Sequence, residues 1–290
     1  MYIRNVKADY SACNIGKIEI EPIYRERTLE ILSHYSKAIS KVQKNAFDKL
    51  IAKLEDNNLL LNDRGCDMYF PCLAATPNEA LYNAKTQVDT SATSLYEIGD
   101  FGVKTLMSGT PVDLPVSFGS ANSFKVAAFC SSRHPRREDN SEWTRGCLFS
   151  SKGGLCWSMS FAGISLSTGQ QTGINLLLGD IPNEYNVLTL INSSDNQTSP
   201  NISAWINKNK KGIFTEQVEL QPGCSTRIGT SVLSPSQYNY SAGCEIGVLL
   251  IFEEVSEEEV AIIQDALLVF NDEFVTDNSI HPTRVFEPGQ

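Results

Sequence analysis

Between residues 95 and 252 the chain breaks into short runs rich in β-branched and aromatic residues, separated by clusters of Gly, Ser, Asn and Pro. This punctuation limits the fold more than any other feature. The runs fall at 112–118, 124–131, 146–151, 155–161, 174–178, 186–192, 202–207, 213–220, 225–229 and 243–252. Strands this short and closely spaced leave no room for crossover helices, so they predict an antiparallel sandwich or jelly roll rather than βαβ units. Ala204-Trp205-Ile206-Asn207 followed by Lys208-Asn209-Lys210-Lys211-Gly212 reads as a hairpin, and 193–201 as a polar loop.

A helix closes the sandwich. Ser256-Glu257-Glu258-Glu259 has the form of a capping box, in which Ser256 accepts from the N3 amide and Glu259 reaches back. Val255 and Val260 occupy the positions of a hydrophobic staple, and three glutamates in the first turn suit the helix dipole. Val260, Ile263, Leu267 and Phe270 then form one apolar face, so the helix, expected over 256–271, should pack on the sheet.

At the other end, Thr28 to Leu54 contains no Gly or Pro and turns helical. Leu32, Tyr35, Ile39, Val42 and Ala46 repeat at 3-4-3-4 spacing, with Leu50 and Leu54 on a neighbouring stripe. One use of this face is packing within its own domain. The other is a short parallel coiled coil that trimerises the protein through Leu32, Tyr35, Ile39 and Val42. Asn57-Asn58 ends the helix, and a short helical piece follows around Asn78–Tyr82. The polar run Thr86–Ser94 is the expected boundary. The organisation read from sequence is a helical attachment module over 1–90 and a β-sandwich with its closing helix over 91–290.

An apolar fraction of 41% can build a core without disulfide staples. The net charge of −10 argues against nucleic acid as a main partner, because phosphate binding needs a concentrated basic surface. The charge is uneven. Residues 1–60 carry 10 Lys/Arg and 8 Asp/Glu, a net of +2, and the remainder is −12. The two readings are a self-repelling, soluble surface and an N-terminal module docked on an acidic neighbour. No run approaches the ~18–20 apolar residues of a membrane span, and residues 1–9 lack a signal-peptide core, so synthesis in a cytoplasm without membrane insertion is expected. The eight cysteines are scattered without C-x-x-C, and are expected to be reduced and buried rather than to hold zinc. The sequons at Asn192, Asn196, Asn201 and Asn239 then mark only polar loops.

Catalytic patterns are poor. No phosphate-binding glycine loop, dinucleotide fingerprint, zinc-protease helix or nucleophile elbow occurs. His34, His134 and His281 sit beside no obvious nucleophile. Gly154-Leu155-Cys156-Trp157-Ser158 echoes a thiol-protease segment, but Cys156–Phe161 alternates like a strand, whereas such a thiolate needs a helix N-terminus. A glycosidase needs two carboxylates held ~5–9 Å apart. The acidic clusters here, Glu138-Asp139 and Glu253 to Glu259, read as a loop and a helix start. Sugar recognition uses exposed aromatic faces beside polar groups, for which Trp143, Trp205, Tyr238 and Tyr240 are the candidates. Each has an ordinary packing role as its alternative. The oxygen-rich loop Asn192–Asn196 is a weak calcium candidate whose spacing fits no EF-hand. No metal or cofactor is expected.

Two segments at opposite ends share one resemblance. The first is Ala46-Phe47-Asp48-Lys49-Leu50-Ile51, Leu54 and Asn58-Leu59-Leu60, then Cys66-Asp67-Met68-Tyr69-Phe70, Ala74-Ala75 and Ala80-Leu81-Tyr82-Asn83-Ala84-Lys85. It resembles a module of tailed-phage structural proteins: a helix ending in a G-L-W turn, then L-D-x-L-Y, then A-L-x-N-L-K. Asn58, Leu60 and Ala84 stand where that pattern has Gly, Trp and Leu. The second runs from Ile246-Gly247 through Val255-Ser256-Glu257-Glu258-Glu259-Val260-Ala261 and Ala266-Leu267 to Phe270. It is similar to that family's closing L-[ST]-x-x-E helix. Arg227-Ile228-Gly229 matches a strand end that the family often has. The resemblance implies a concanavalin-A-like, laminin-G-like jelly roll on a virion, in tails, fibres or head decorations, with no catalytic residue to carry over. The expected function is a non-enzymatic virion structural protein, a homo-oligomer with other virion proteins as partners. The alternative is a receptor-recognition module binding a host surface glycan, and a polysaccharide-degrading glycosidase is third.

Overall fold

The structure, a computed structural model, describes residues 22–106, 112–114, 125–134, 146–151, 155–160, 163–168, 175–179, 184–194, 201–214, 226–228 and 244–275, with backbone alone over 146–179 and 213–214. The described elements run α1 (Glu26–Leu32), α2 (Lys41–Asp56), β1 (Cys66–Tyr69), a 3₁₀ turn (Pro71–Leu73), α3 (Pro77–Ala80), β2 (Tyr96–Ile98), β3 (Val103–Thr105) and β4 (Val126–Arg133). They continue with β5 (Gly146–Ser151), β6 (Leu155–Ser160), β7 (Gly163–Thr168), β8 (Asn175–Gly179), β9 (Tyr185–Asn192), β10 (Ile202–Ile206), β11 (Asn209–Phe214), β12 (Arg227–Ile228), β13 (Glu245–Phe252) and α4 (Glu257–Val275). The protein is mainly antiparallel β sheet with a C-terminal helix. None of the described helices is long and apolar enough to cross a membrane.

Two sheets form. An eight-stranded sheet has the order β11-β10-β9-β4-β13-β3-β2, with β1 also paired to β13, and a five-stranded sheet has the order β12-β5-β6-β7-β8. Every pairing is antiparallel. Side chains alternate across a strand, so the large sheet has two apolar faces. Ala128, Cys130, Leu188, Leu190, Leu249 and Ile251 pack with Leu114 and with Ile228 of the second sheet. Ala127, Phe129, Val187, Val248, Leu250 and Phe252 pack with α2 and α4. Covering on both faces explains why β13 is buried along its whole length and reads as an unbroken apolar run.

The expected boundary near residue 90 does not divide two cores. β1 pairs with β13 from Cys66↔Phe252 to Tyr69↔Leu249, and one apolar cluster joins Phe47, Leu50 and Phe70 to Leu267 and Phe270. Residues 22–90 supply a strand of the large sheet, β1, and part of its helical cover, because α2 and α4 can bury their apolar faces only against the sheet and each other.

The stripe of Leu32, Tyr35, Ile39 and Val42 is also corrected. Leu32 ends α1, Tyr35 and Ile39 lie in the connection, and Val42 is in the first turn of α2, 49% exposed. A capping box breaks the helix: Ser40 Oγ accepts from the Gln43 amide at 3.1 Å, and Gln43 Oε1 accepts from the Ser40 amide at 3.0 Å. Ser40-x-x-Gln43 carries this signal in the sequence, and the 3-4 periodicity ran across it. Leu32, Tyr35 and Ile39 pack half-buried on the helical side of the core, so the four residues share no single helix face.

Eight of the ten strand runs correspond to β4, β5, β6, β8, β9, β10, β12 and β13. Of run 112–118, Leu114 is seen as a single bridge to Thr226. Of run 213–220, Ile213 and Phe214 end β11, which starts at Asn209 directly after the turn, and 215–220 lie outside the described residues. Asn207 takes the left-handed φ of 56° at that turn. β1, β2, β3 and β7 fall outside the ten runs. The capping box of α4 forms as the sequence predicts, with Glu259 N to Ser256 Oγ at 3.2 Å and Ser256 N to Glu259 Oε2 at 2.7 Å. The helix runs on to Val275.

Candidate functional site

The two segments that carry the resemblance meet in space. α2 ends in a Schellman turn: Leu59 N donates to Leu54 O at 3.0 Å, Asn58 N to Glu55 O at 2.9 Å, and Asn58 holds φ 59°. That conformation favours glycine and tolerates asparagine, which accounts for Asn58 at the Gly position of the pattern. Asn83 is fully buried. Its Oδ1 accepts from the amides of Met68 at 3.2 Å and Lys85 at 3.0 Å, and its Nδ2 donates to Asp67 Oδ1 at 2.6 Å. Lys85 Nζ donates to Leu60 O at 3.0 Å, tying this turn to the end of α2. Arg64 then reaches the first turn of α4, with Nη1 2.9 Å from Glu259 Oε1. Burial alone would raise the Glu259 carboxyl, but hydrogen bonds from Ser256 and Arg64 outweigh it and hold it below the usual range. Asn83 and Lys85 thus tie the turn after α3 to β1 and to the end of α2, and Arg64 separately ties the approach to β1 to the start of α4. An open polar notch of about 490 Å³ beside Arg64, Lys125 and Glu254 is bounded by this junction.

Of the four aromatic candidates, Trp143, Tyr238 and Tyr240 lie outside the described residues. Trp205 sits half-buried on β10, opposite Thr189 of β9. Its neighbours Ala204 and Ile206 point into the core between the sheets, so the ring lies on the helical side, beyond α4. Lys210 of the edge strand β11 places Nζ 5.1 Å from the ring centroid. The hairpin therefore offers one partly open aromatic face with a cation over it. In the calcium candidate loop, Asn192 Oδ1 accepts from Ser194 N at 3.1 Å and Asn201 N at 3.3 Å, so that oxygen closes the loop. Among the described residues no three His, Cys, Asp or Glu side chains converge as metal ligands. Cys156 lies in strand β6, as its alternation predicts, and His281 is outside the described residues.

One cluster escaped the sequence reading. Arg133, at the end of β4, places Nη1 3.1 Å from Glu245 Oε1 and 3.0 Å from Asp100 Oδ2, and Nε 2.8 Å from Glu184 Oε1. The Glu245 carboxylate also accepts from the amides of Phe101 at 2.6 Å and Gly102 at 3.1 Å. Burial works to lower the Arg133 pKa, and Glu184 and Glu245 outweigh it, so the guanidinium stays charged. The approach is close: a Cβ on Gly102 would lie 1.9 Å from the Ile246 carbonyl oxygen. The group clamps the β2–β3 turn to the sheet. Next to it, Ser132 Oγ lies 2.8 Å from His134 Nε2. That is the reach of a nucleophile and its base, yet both side chains are buried, and burial pushes the imidazole down to about 4. His134 is therefore neutral near pH 7 and serves as a core histidine. Sequence could signal little of this, because the partners are 33 to 144 residues apart.

No family model and no curated protein matches the chain. Among solved structures, a Trypanosoma rangeli sialidase in complex with sialic acid is similar with a TM-score of 0.49 and 11% identity, over 82% of this chain and 40% of the sialidase. The binding domain of botulinum neurotoxin serotype D is similar with a TM-score of 0.48 and 12% identity, over 71% of this chain and 52% of that domain. The chain thus spans less than two thirds of either. Likenesses this distant transfer neither activity nor site to this chain.

Proposed function

We propose that the protein is a non-enzymatic structural component of a tailed-phage particle, built on a concanavalin-A-like jelly roll and acting in attachment or assembly. The observation that supports this reading is the meeting of the two resembling segments. β1 of the first pairs with β13 of the second, α2 packs against α4 in one core, and Arg64, just before β1, pairs with Glu259 of the closing helix. Segments that pair and pack in one core make the resemblance a property of a folded unit rather than of scattered letters. The proposal places the protein in the virion, beside other virion proteins. Mass spectrometry of density-purified particles tests it. The chain should be present at a fixed copy number per particle, and its absence from intact particles sinks the reading.

Trp205 favours a second reading, glycan binding, because its half-open ring stands next to Lys210 on an edge hairpin. A glycan array tests it: binding lost on Trp205→Ala supports recognition of a host surface sugar, and silence from the folded wild type removes it.

A further inference from the structure

We infer that the outer face of α2 and α4 is a self-complementary surface on which a second copy of this chain docks about a two-fold axis. The two helices run antiparallel. Lys49 Nζ meets Glu273 Oε1 at 2.6 Å near the end of α4, whereas Arg64, beyond the end of α2, meets Glu259 at its start. Between them lies a groove of about 440 Å³, floored by Ala46, Leu50, Ala266 and Phe270. Val269 rises from this floor at 49% exposure, and Val42 is exposed to the same degree in the first turn of α2.

The rims carry opposite charge. On α2, Lys49 and Lys53 border the groove. On α4, Glu258, Asp265 and Asp272 recur every seven residues and so line one stripe. Asp265, the stripe residue that lines the groove, pairs with Lys208 within the chain, whereas Lys53, Glu258 and Asp272 make no ion pair among the described residues and are left to a partner. A two-fold axis running along the groove sets α2 of one copy against α4 of the other at the same height. Basic rim then meets acidic rim twice, with Val269 and the apolar floor sealed between. Such isologous pairing is the common form of homo-oligomer, and helix layers of this kind pack as four-helix arrangements. Helices of 16 and 19 residues extend about 24 and 28 Å. That footprint is at the small end for a specific interface, so a dimer in the micromolar range is expected. The surface belongs to these helices and is independent of where the protein is used.

Sedimentation equilibrium of the full chain, over a concentration series, is the test. The wild type should pass from monomer to dimer, and raising NaCl from about 50 mM to about 500 mM should weaken the dimer. Val269→Glu, at an exposed position that leaves the fold intact, should weaken it by about tenfold or more. Lys53→Glu and Asp265→Lys should each weaken self-association and recover it when mixed, because only the heterodimer restores both rims. A monomer at every concentration overturns the inference, whatever else then occupies the groove, the chain's own terminal residues included. A dimer indifferent to Val269→Glu, or no recovery on mixing, overturns it equally.

Discussion

β13 carries a buried polar cluster at each end, and the two are built in opposite ways. Near its C-terminal half, β1 brings Asp67 and the turn after α3 brings Asn83, and the Asn83 bonds link residues 2 to 16 apart in sequence. At its N-terminal end, Glu245 meets Arg133, Phe101 and Gly102 across 112 to 144 residues. The first cluster is a local turn that happens to be buried. The second is tertiary from the start and exists only once four separate segments have docked. Local clusters leave a spacing pattern in the sequence, whereas tertiary ones leave isolated charges and glycines. Buried charge also raises the stakes at the second site, since a lone ion there loses its solvent without gaining a partner.

The sharpest way to break this comparison is to remove the cation. Arg133→Met should cost about 3–5 kcal/mol, because Glu245, only 6% exposed, would be left with backbone amides alone. Chemical denaturation checks it. A loss near 1 kcal/mol would mean that the clamp is solvated and that the two ends do not differ. Glu245→Gln in the Arg133→Met background should recover part of the loss, since it removes the stranded charge.

His134 extends the same end of β13 into pH. Its folded pKa is about 4, against the ordinary 6.5. The unfolded chain therefore binds a proton more readily between those values, so stability is full above pH 6.5 and falls as pH drops toward 4. The loss should reach about 3 kcal/mol. Urea midpoints from pH 7.5 to 4.5 would show it. His134→Gln should flatten the slope in that window. Glu259, whose carboxyl is held low, adds its own loss only at more acid pH.

At the local end, Asn83→Ala should cost about 2–3 kcal/mol by taking one partner from the buried Asp67 carboxylate and the acceptor from the Met68 and Lys85 amides. Because the bonds are short-range, the damage should be confined. Hydrogen exchange should quicken at Met68 and Lys85 while the amides of β4 and β9 stay protected. Faster exchange across the whole large sheet would erase the distinction between the two clusters.

The same division governs what could be read from the chain. β4, β9 and β13 were legible because burial demands apolar residues, as in Val248-Leu249-Leu250-Ile251-Phe252. The start of β11 was misplaced because an edge strand is stabilised by its partner's backbone and keeps its lysines in solvent. β2 and β3, three residues each, carry too few side chains for any period. The motif letters Asp67, Asn83 and Lys85 were visible but their joint was not, since spacing alone does not say which letters face one another. Burial pushes the thiols of Cys66 and Cys72 up to about 12, so both stay protonated near neutral pH.

The smallest effect sharpens the comparison most. Ser256→Ala removes one cap and should cost about 1 kcal/mol by thermal denaturation. Glu259, however, serves both the cap and Arg64, so the cap touches the joint between the two ends of the chain. Combined with Arg64→Met, the loss should be less than additive, because both changes act through the one carboxylate. Combined with Arg133→Met at the far end of β13, it should be additive, since the two sites share no partner. Coupling in the first pair and none in the second is what an Arg64–Glu259 contact built independently of the Arg133 clamp requires.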